Sequence, residues 1–150
     1  MPSSSTDFLY SLMALLAVGV ILTASFSSYT TVLAHASEVS KLKEVVNHVA
    51  AKATEALTFV TENNATLSIV FSLPLKIGDR DYWIRFANDS SSAWVEGAFG
   101  NASRSGEQDC RVYLPRDVYA TGTFEGGYEL AQIDCSLNGS TIQLTLSRKE

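Results

Sequence analysis

The chain has 150 residues and a mass of 16.2 kDa, a size that normally forms one domain. Its net charge of −5 and pI near 5.0 argue against a nucleic-acid partner, because binding phosphates requires clustered Lys and Arg. No such cluster occurs in the sequence.

The first element is an uncharged apolar stretch, residues 8–26. As a helix it would rise roughly 28 Å, close to the hydrocarbon thickness of a bilayer. Its apolar side chains face every direction, so lipid or protein must surround it. The rest of the chain is too short to do so, and we expect the cover to come from outside the monomer.

Helical periodicity continues beyond this stretch as far as Glu62. Nine apolar residues recur about every 3.5 positions, a period typical of coiled coils. They are Val32, Ala36, Val39, Leu42, Val46, Val49, Ala53, Leu57 and Val60. The charged residues between them predict a solvated face, and Asn63-Asn64 predicts a C-cap. We therefore predict one helix from about Asp7 to Glu62, on the order of 84 Å long.

Processing and orientation depend on signals around this helix. Ala34-His35-Ala36 resembles a signal-peptidase site, but the apolar run is long for a signal core and no basic n-region precedes it, so we expect the helix to be retained. Lys41 and Lys43 weakly favour a cytoplasmic C-terminal part. The cysteines and glycosylation motifs described below favour the exterior. A short basic leader before Met1 would reconcile the two.

After Asn64 the pattern changes to short β-branched and aromatic runs separated by Gly, Asp, Asn and Ser clusters. Six or seven strands with turns about every ten residues are typical of an antiparallel β-sandwich, such as an Ig-like domain. The predicted fold is α+β, with a hydrophobic helix in residues 1–64 and a sandwich head in residues 65–150. Pro74 and Pro115 should mark strand ends. The aromatic residues predicted to pack in the head or at its rim are Trp83, Phe86, Trp94, Phe99, Tyr113 and Phe124.

Cys110 and Cys135 are the two cysteines of the chain. Beside a membrane segment, an even count predicts one disulfide outside the cytoplasm, worth roughly 3 kcal/mol by loop closure. The alternative is two buried thiols.

Four asparagines lie in N-glycosylation motifs, each with Ser or Thr two residues later: Asn64, Asn88, Asn101 and Asn138. All four follow the helix, in predicted turns. Together they indicate N-linked glycans on a surface facing the exterior. The alternative is that they are ordinary turn residues.

The sequence shows no catalytic or cofactor motif. His35 and His48 are thirteen residues apart on the helix and lack a ligand at metal-binding spacing. The glycine-containing stretches at Gly97 and Gly122 lie between predicted strands, so we interpret them as turns and not as phosphate-binding loops. We predict a protein that is not an enzyme and binds no cofactor or metal.

The hydrophobic helix followed by a sequon-rich β head resembles the archaeal type IV pilin-like filament subunits, which are processed at a class III signal peptide. The resemblance implies a pilin-type head and a structural role in an extracellular cell-surface filament. The subunit would wait in the membrane, then join a helical polymer of identical chains, with its glycosylated head exposed for attachment. The residues expected to pack between helices are Leu12, Leu15, Leu16, Gly19, Ile21, Leu22, Phe26, Val32, Leu33, Val39, Leu42, Val46 and Val49.

Two other functions remain open from the sequence. An archaellum stator-like protein would keep the helix in the membrane while its head binds the S-layer. A stalked extracellular carbohydrate-binding domain would use the aromatic residues of the head. The number of copies in sheared surface material separates the first two, and glycan binding would favour the third.

Overall fold

The computed structural model describes residues 3–100, 110–115, 118–139 and 141–149. These residues form one helix, α1 (Ser3–Asn63), followed by seven strands. The strands are β1 (Leu67–Ser72), β2 (Tyr82–Asn88), β3 (Ala93–Phe99), β4 (Cys110–Tyr113), β5 (Val118–Glu125), β6 (Leu130–Asn138) and β7 (Thr141–Arg148). The α+β class is confirmed, and each predicted apolar run contains a strand. Pro74 and Pro115 each follow a strand end by two residues.

The chain forms two compact units, Met1–Ser37 and Glu38–Glu150, which we call the N-terminal and C-terminal units. From the sequence we predicted the domain boundary at the end of the helix, after residue 64. The structure places it inside α1, because the second part of this helix belongs to the core of the C-terminal unit.

The strands of the C-terminal unit form a single sheet in the order β1-β6-β7-β5-β2-β3-β4. Neighbours are antiparallel except β5 and β7, which run parallel. Strand β5 pairs with β7 as far as Gly122 and with β2 from Thr123 onward. Gly122 has φ 110°, and a Cβ there would lie 2.1 Å from the Leu146 carbonyl oxygen. This point of the sheet therefore requires glycine.

One face of the sheet packs against α1. The core combines apolar residues of the sheet with a row on the helix that we call the core stripe. The core stripe consists of Leu42, Val46, Val49, Ala53, Leu57 and Val60. None of these side chains is more than 4 % exposed. The helical period was predicted correctly, but the stripe is covered by the chain's own sheet.

This packing corrects part of the predicted filament interface. Leu42, Val46 and Val49 are fully buried in the core, so they are not available to a neighbouring chain. Val39 is half-buried, and Val32 and Leu33 are exposed.

The arrangement also differs from the predicted pair of sheets. The strands follow one continuous hydrogen-bonded order, and the helix supplies the layer opposite the sheet. Gly97 lies inside β3 and not in a turn. A Cβ at this position would lie 2.8 Å from Cγ2 of Val46, so glycine permits the helix and strand to approach closely.

The helix ends as the asparagine pair predicted. Asn64 adopts φ 50°, and its backbone N–H donates to the Val60 carbonyl oxygen at 2.9 Å. A left-handed residue that closes such a bond is a helix C-cap.

The predicted disulfide between Cys110 and Cys135 is not formed in the structure. Cys110 lies on the edge strand β4 and Cys135 on β6, with four strands between them in the sheet order. A disulfide requires Cα atoms within about 7 Å, whereas each strand step adds about 4.8 Å along a sheet. Burial raises the pKa of the Cys135 thiol.

Candidate functional site

The N-terminal unit exposes an apolar helix surface, residues 8–33, which we call the apolar segment. Its large apolar and aromatic side chains are between 47 and 73 % exposed. An 18-residue window of α1 has a mean hydropathy of 2.1, and none of that window is buried. Among the described residues, α1 is the one helix that is long and apolar enough to cross a membrane. The core helix of a soluble domain would be mostly buried, whereas this window of α1 is exposed.

The part of the apolar segment between two tyrosines matches the thickness of a bilayer. Tyr10 and Tyr29 are 19 positions apart, a rise of roughly 28 Å, and the hydrocarbon core is about 30 Å thick. Both tyrosine side chains are exposed. Aromatic residues with a polar group are enriched at the two membrane interfaces. The segment is therefore compatible with membrane anchoring, and Val32 and Leu33 lie beyond the second tyrosine.

The threonine hydroxyls in this segment are bonded within the helix. Thr23 donates to the Gly19 carbonyl at 2.8 Å, and Thr31 donates to the Ser27 carbonyl at 3.0 Å. Such bonds let a hydroxyl enter an apolar environment without a further partner. Gly19, Thr23 and Ser27 also line a shallow groove of about 560 Å³.

The predicted helix-packing residues thus divide into two groups. The exposed ones, all in the apolar segment, are Leu12, Leu15, Leu16, Gly19, Ile21, Leu22, Phe26, Val32 and Leu33. The remaining four lie in the C-terminal unit, where one is half-buried and three belong to the core stripe.

Three of the four glycosylation motifs lie at one end of the sheet. Asn138 ends β6, Asn88 ends β2, and Asn64 stands just before β1, whose Leu67 pairs with Cys135 near the end of β6. Strand directions place these positions at the same end of the sheet, because β2 and β6 run the same way and β1 runs opposite to them. Asn64 and Asn138 are exposed and Asn88 is half-buried. Asn101 lies outside the described residues.

A cleft of about 1100 Å³ opens at this same end. Its lining includes residues 88–92, Tyr113, Tyr119 and Thr141. Asp89 fixes the turn after β2 by accepting the backbone N–H groups of Ser91 and Ser92 at 2.8 and 2.7 Å. These two bonds hold the pKa of the Asp89 carboxyl below its usual value. We call this feature the tyrosine cleft.

The sheet face opposite the core carries a second polar feature, the arginine ladder of Arg85, Glu96 and Arg111. These residues are direct partners across β2, β3 and β4. Glu96 is 1 % exposed, and its carboxylate accepts bonds from Arg85 Nε at 2.8 Å and from Arg111 Nη2 at 3.3 Å. Trp94 Nε1 donates to the same carboxylate at 2.8 Å. Every charge in the ladder therefore has an opposite partner.

Sequence reasoning missed the ladder and the cleft. Of the aromatic residues predicted for the core or the rim, Trp83, Phe86 and Phe124 are buried, and Tyr113 is 64 % exposed. Part of the ladder could have been found from the alternation of side chains along a strand, because Trp94 and Glu96 are two residues apart and therefore share a face. Nothing local in the sequence shows that Arg85 and Arg111 flank Glu96, because this depends on strand order.

The structure brings together no metal cluster within its described ranges: no three or more His, Cys, Asp and Glu side chains there are arranged to hold an ion. His48 is exposed and contacts the Phe71 ring edge-on at 5.8 Å between centroids.

Comparisons with known protein families, with curated proteins and with solved structures find no match to this chain.

Proposed function

We propose that this chain is a structural subunit of an archaeal type IV pilus-like extracellular filament. In this proposal the apolar segment forms the polymerisation surface. The C-terminal unit is exposed on the filament, carries N-linked glycans and serves surface attachment.

The observation that carries the proposal is the exposure of the apolar segment on all sides. Residues 8–33 are 26 residues long, or roughly 39 Å of helix, which exceeds the hydrocarbon core of a bilayer. Outside the membrane, each large apolar side chain left in water would cost about 1.5–3 kcal/mol relative to a buried one, so the segment must stay covered once it leaves lipid. A bundle of identical segments would cover every face of the helix, including Val32 and Leu33.

The mechanism follows from where each surface can be buried. Before assembly, lipid covers the segment between Tyr10 and Tyr29. On assembly, the segment leaves lipid for neighbouring copies, and small residues such as Gly19 and Ala24 permit close helix contacts. A head-to-tail contact that does not close on itself generates a filament. The core stripe takes no part, because the sheet of the same chain covers it.

Electron microscopy of surface material sheared from cells tests this proposal. We expect the chain to be the bulk protein of filaments whose central density is a bundle of apolar segments. Protein that remains in the membrane fraction at low copy number would instead indicate a stator-like anchor and would overturn the proposal. A matched pair of variants, Ile21→Arg and Ile21→Leu, should respectively abolish and preserve the filaments, because a charge cannot enter an apolar bundle unpaired.

A further inference from the structure

The tyrosine cleft contains an unusual combination of residues for a solvent-facing end of a sheet. Tyr113 and Tyr119 are 64 and 49 % exposed, and the asparagine of a glycosylation motif lines the same cleft. We propose that an N-linked glycan attached to Asn88 lies in the tyrosine cleft, against the rings of Tyr113 and Tyr119. This inference rests on the part of the proposed function that places the C-terminal unit outside the cell.

The attachment point is held by local structure. Asn88 is the last residue of β2 and pairs with Ala93 at the start of β3. The intervening turn is fixed by Asp89, whose carboxylate also accepts the hydroxyls of Ser91 and Ser92, both at 3.1 Å. A glycan linked to Asn88 would therefore start from a defined position in the lining of the cleft.

The lining of the cleft fits a saccharide. A pyranose ring presents an apolar C–H face and a rim of hydroxyl groups, so it needs both flat apolar and hydrogen-bonding surfaces. Tyrosine supplies an apolar face and a polar tip, and Tyr113 is held in place by an edge-on contact with Trp94 at 6.2 Å between centroids. Ser90 and Thr141 add hydroxyl groups.

The asparagines of the other two described glycosylation motifs do not line the cleft. The lining of the cleft includes Asn88 but neither Asn64 nor Asn138. Asn64 is an exposed helix cap and Asn138 is exposed at a hairpin. Glycans at those positions would start outside the tyrosine cleft, so they provide a comparison within the same molecule.

Two single substitutions separate the glycan at Asn88 from the others. Ser90→Ala removes the motif while keeping Asn88, and Thr66→Ala removes the Asn64 motif while keeping the helix cap. Full-length protein from native membranes would be analysed by mass spectrometry of glycopeptides, and then nitrated on exposed tyrosines with tetranitromethane. Tyr128, which is 42 % exposed and accepts a bond from Arg148 at 2.7 Å, serves as the internal reference.

We expect Asn88 to be glycosylated in the wild-type protein. Nitration of Tyr113 and Tyr119 should then rise several-fold in Ser90→Ala and stay at the wild-type rate in Thr66→Ala, with Tyr128 unchanged in all three proteins. An unmodified Asn88, or equal nitration of the two tyrosines in Ser90→Ala and wild type, would overturn the inference. Unequal Tyr128 reactivity would reveal a folding defect, and Asn88→Gln then replaces Ser90→Ala under the same criteria.

These outcomes are independent of polymerisation. A glycan in the cleft of a protein that stays a membrane anchor would support this inference while overturning the filament. A filament with bare Asn88 would do the reverse.

Discussion

The two parts of α1 illustrate two ways in which a helix can need a partner. Between Asp7 and Glu38 the helix has no Asp, Glu, Lys or Arg, and its apolar side chains are exposed in every direction. From Glu38 to Asn63 it carries seven such charges, and the buried apolar residues include the core stripe, whereas Phe59 is 44 % exposed.

This difference determines what can cover each part. A single apolar stripe is satisfied by one flat surface, and the sheet of the C-terminal unit provides it. A helix that is apolar all round needs several neighbours or lipid. The sequence contains both patterns in one uninterrupted helix, so continuity of secondary structure does not imply one function.

The largest effect is expected from a charge in the apolar segment. Ile21 is 64 % exposed and lies near the midpoint between Tyr10 and Tyr29. Arginine at the centre of a membrane helix costs about 2.5–3.5 kcal/mol for insertion. Ile21→Arg should therefore abolish recovery of the protein from membranes and filaments, as measured by fractionation and immunoblotting.

Ile21→Leu is the control for this loss and should behave as the wild type. The near-UV circular dichroism of both variants in detergent should match the wild-type spectrum. Normal membrane recovery of Ile21→Arg would show that this part of the helix needs no apolar cover.

The next largest effect is expected in the core stripe. Leu42 is fully buried, and replacing a buried leucine by alanine costs about 2–5 kcal/mol. Leu42→Ala should lower the free energy of unfolding by that amount, measured by denaturant titration in detergent, while membrane recovery stays unchanged. Lys43→Ala, at an exposed neighbouring position, should have little effect.

Leu42→Ala also discriminates between the two interpretations of the stripe. If the substitution left the unfolding free energy unchanged but prevented filament formation, the stripe would pack between chains, as its coiled-coil period first indicated. Loss of stability without an assembly defect at permissive temperature would confirm the intramolecular core.

Much of the fold was predictable because its signals are local. The strands follow β-branched runs bounded by turn residues, and the helix ends where Asn64 can adopt a left-handed conformation. The exposed apolar segment was also predictable, since a helix without charge on any face cannot be a surface helix of a small domain.

The features that were not predicted depend on which helix and strands pack against one another. Neighbouring residues in the sequence do not show this. The period of the core stripe is the same whether a sheet or a sister helix covers it. Gly97 was interpreted as a turn residue, whereas its role is to admit Val46 of α1. The arginine ladder and the tyrosine cleft require the sheet order, since their residues come from separate strands.

The third prediction concerns the effect of high pH on Tyr82, which lies in the same core as the core stripe. Burial raises the pKa of Tyr82 from 10.0 to about 12, and its hydroxyl donates to the Pro74 carbonyl at 2.5 Å. The pKa of Tyr82 is higher in the folded state than in the unfolded state. The protonated hydroxyl therefore makes its full contribution to the free energy of unfolding below pH 10. This contribution is lost as the pH rises through about 12, and the loss amounts to roughly 2–3 kcal/mol.

Denaturant titrations of wild type and Tyr82→Phe across this pH range test the third prediction. The wild type should lose more stability than the variant, whose residue 82 does not titrate. Parallel loss in both proteins would assign the alkaline transition to other tyrosines and lysines.

The smallest effect is expected on the solvated face of the second part of α1. Lys52 Nζ lies 2.8 Å from Glu55 Oε2, with the side chains 33 and 62 % exposed. Exposed pairs at this helical spacing contribute about 0.2–0.5 kcal/mol, and salt screens them. Glu55→Gln should therefore destabilise the protein slightly at low salt and not at high salt, in the same titrations. If Glu55→Gln lost as much stability as Leu42→Ala, or if its loss grew with protein concentration, another chain would cover this face too. The contrast between the two parts of the helix would then no longer hold.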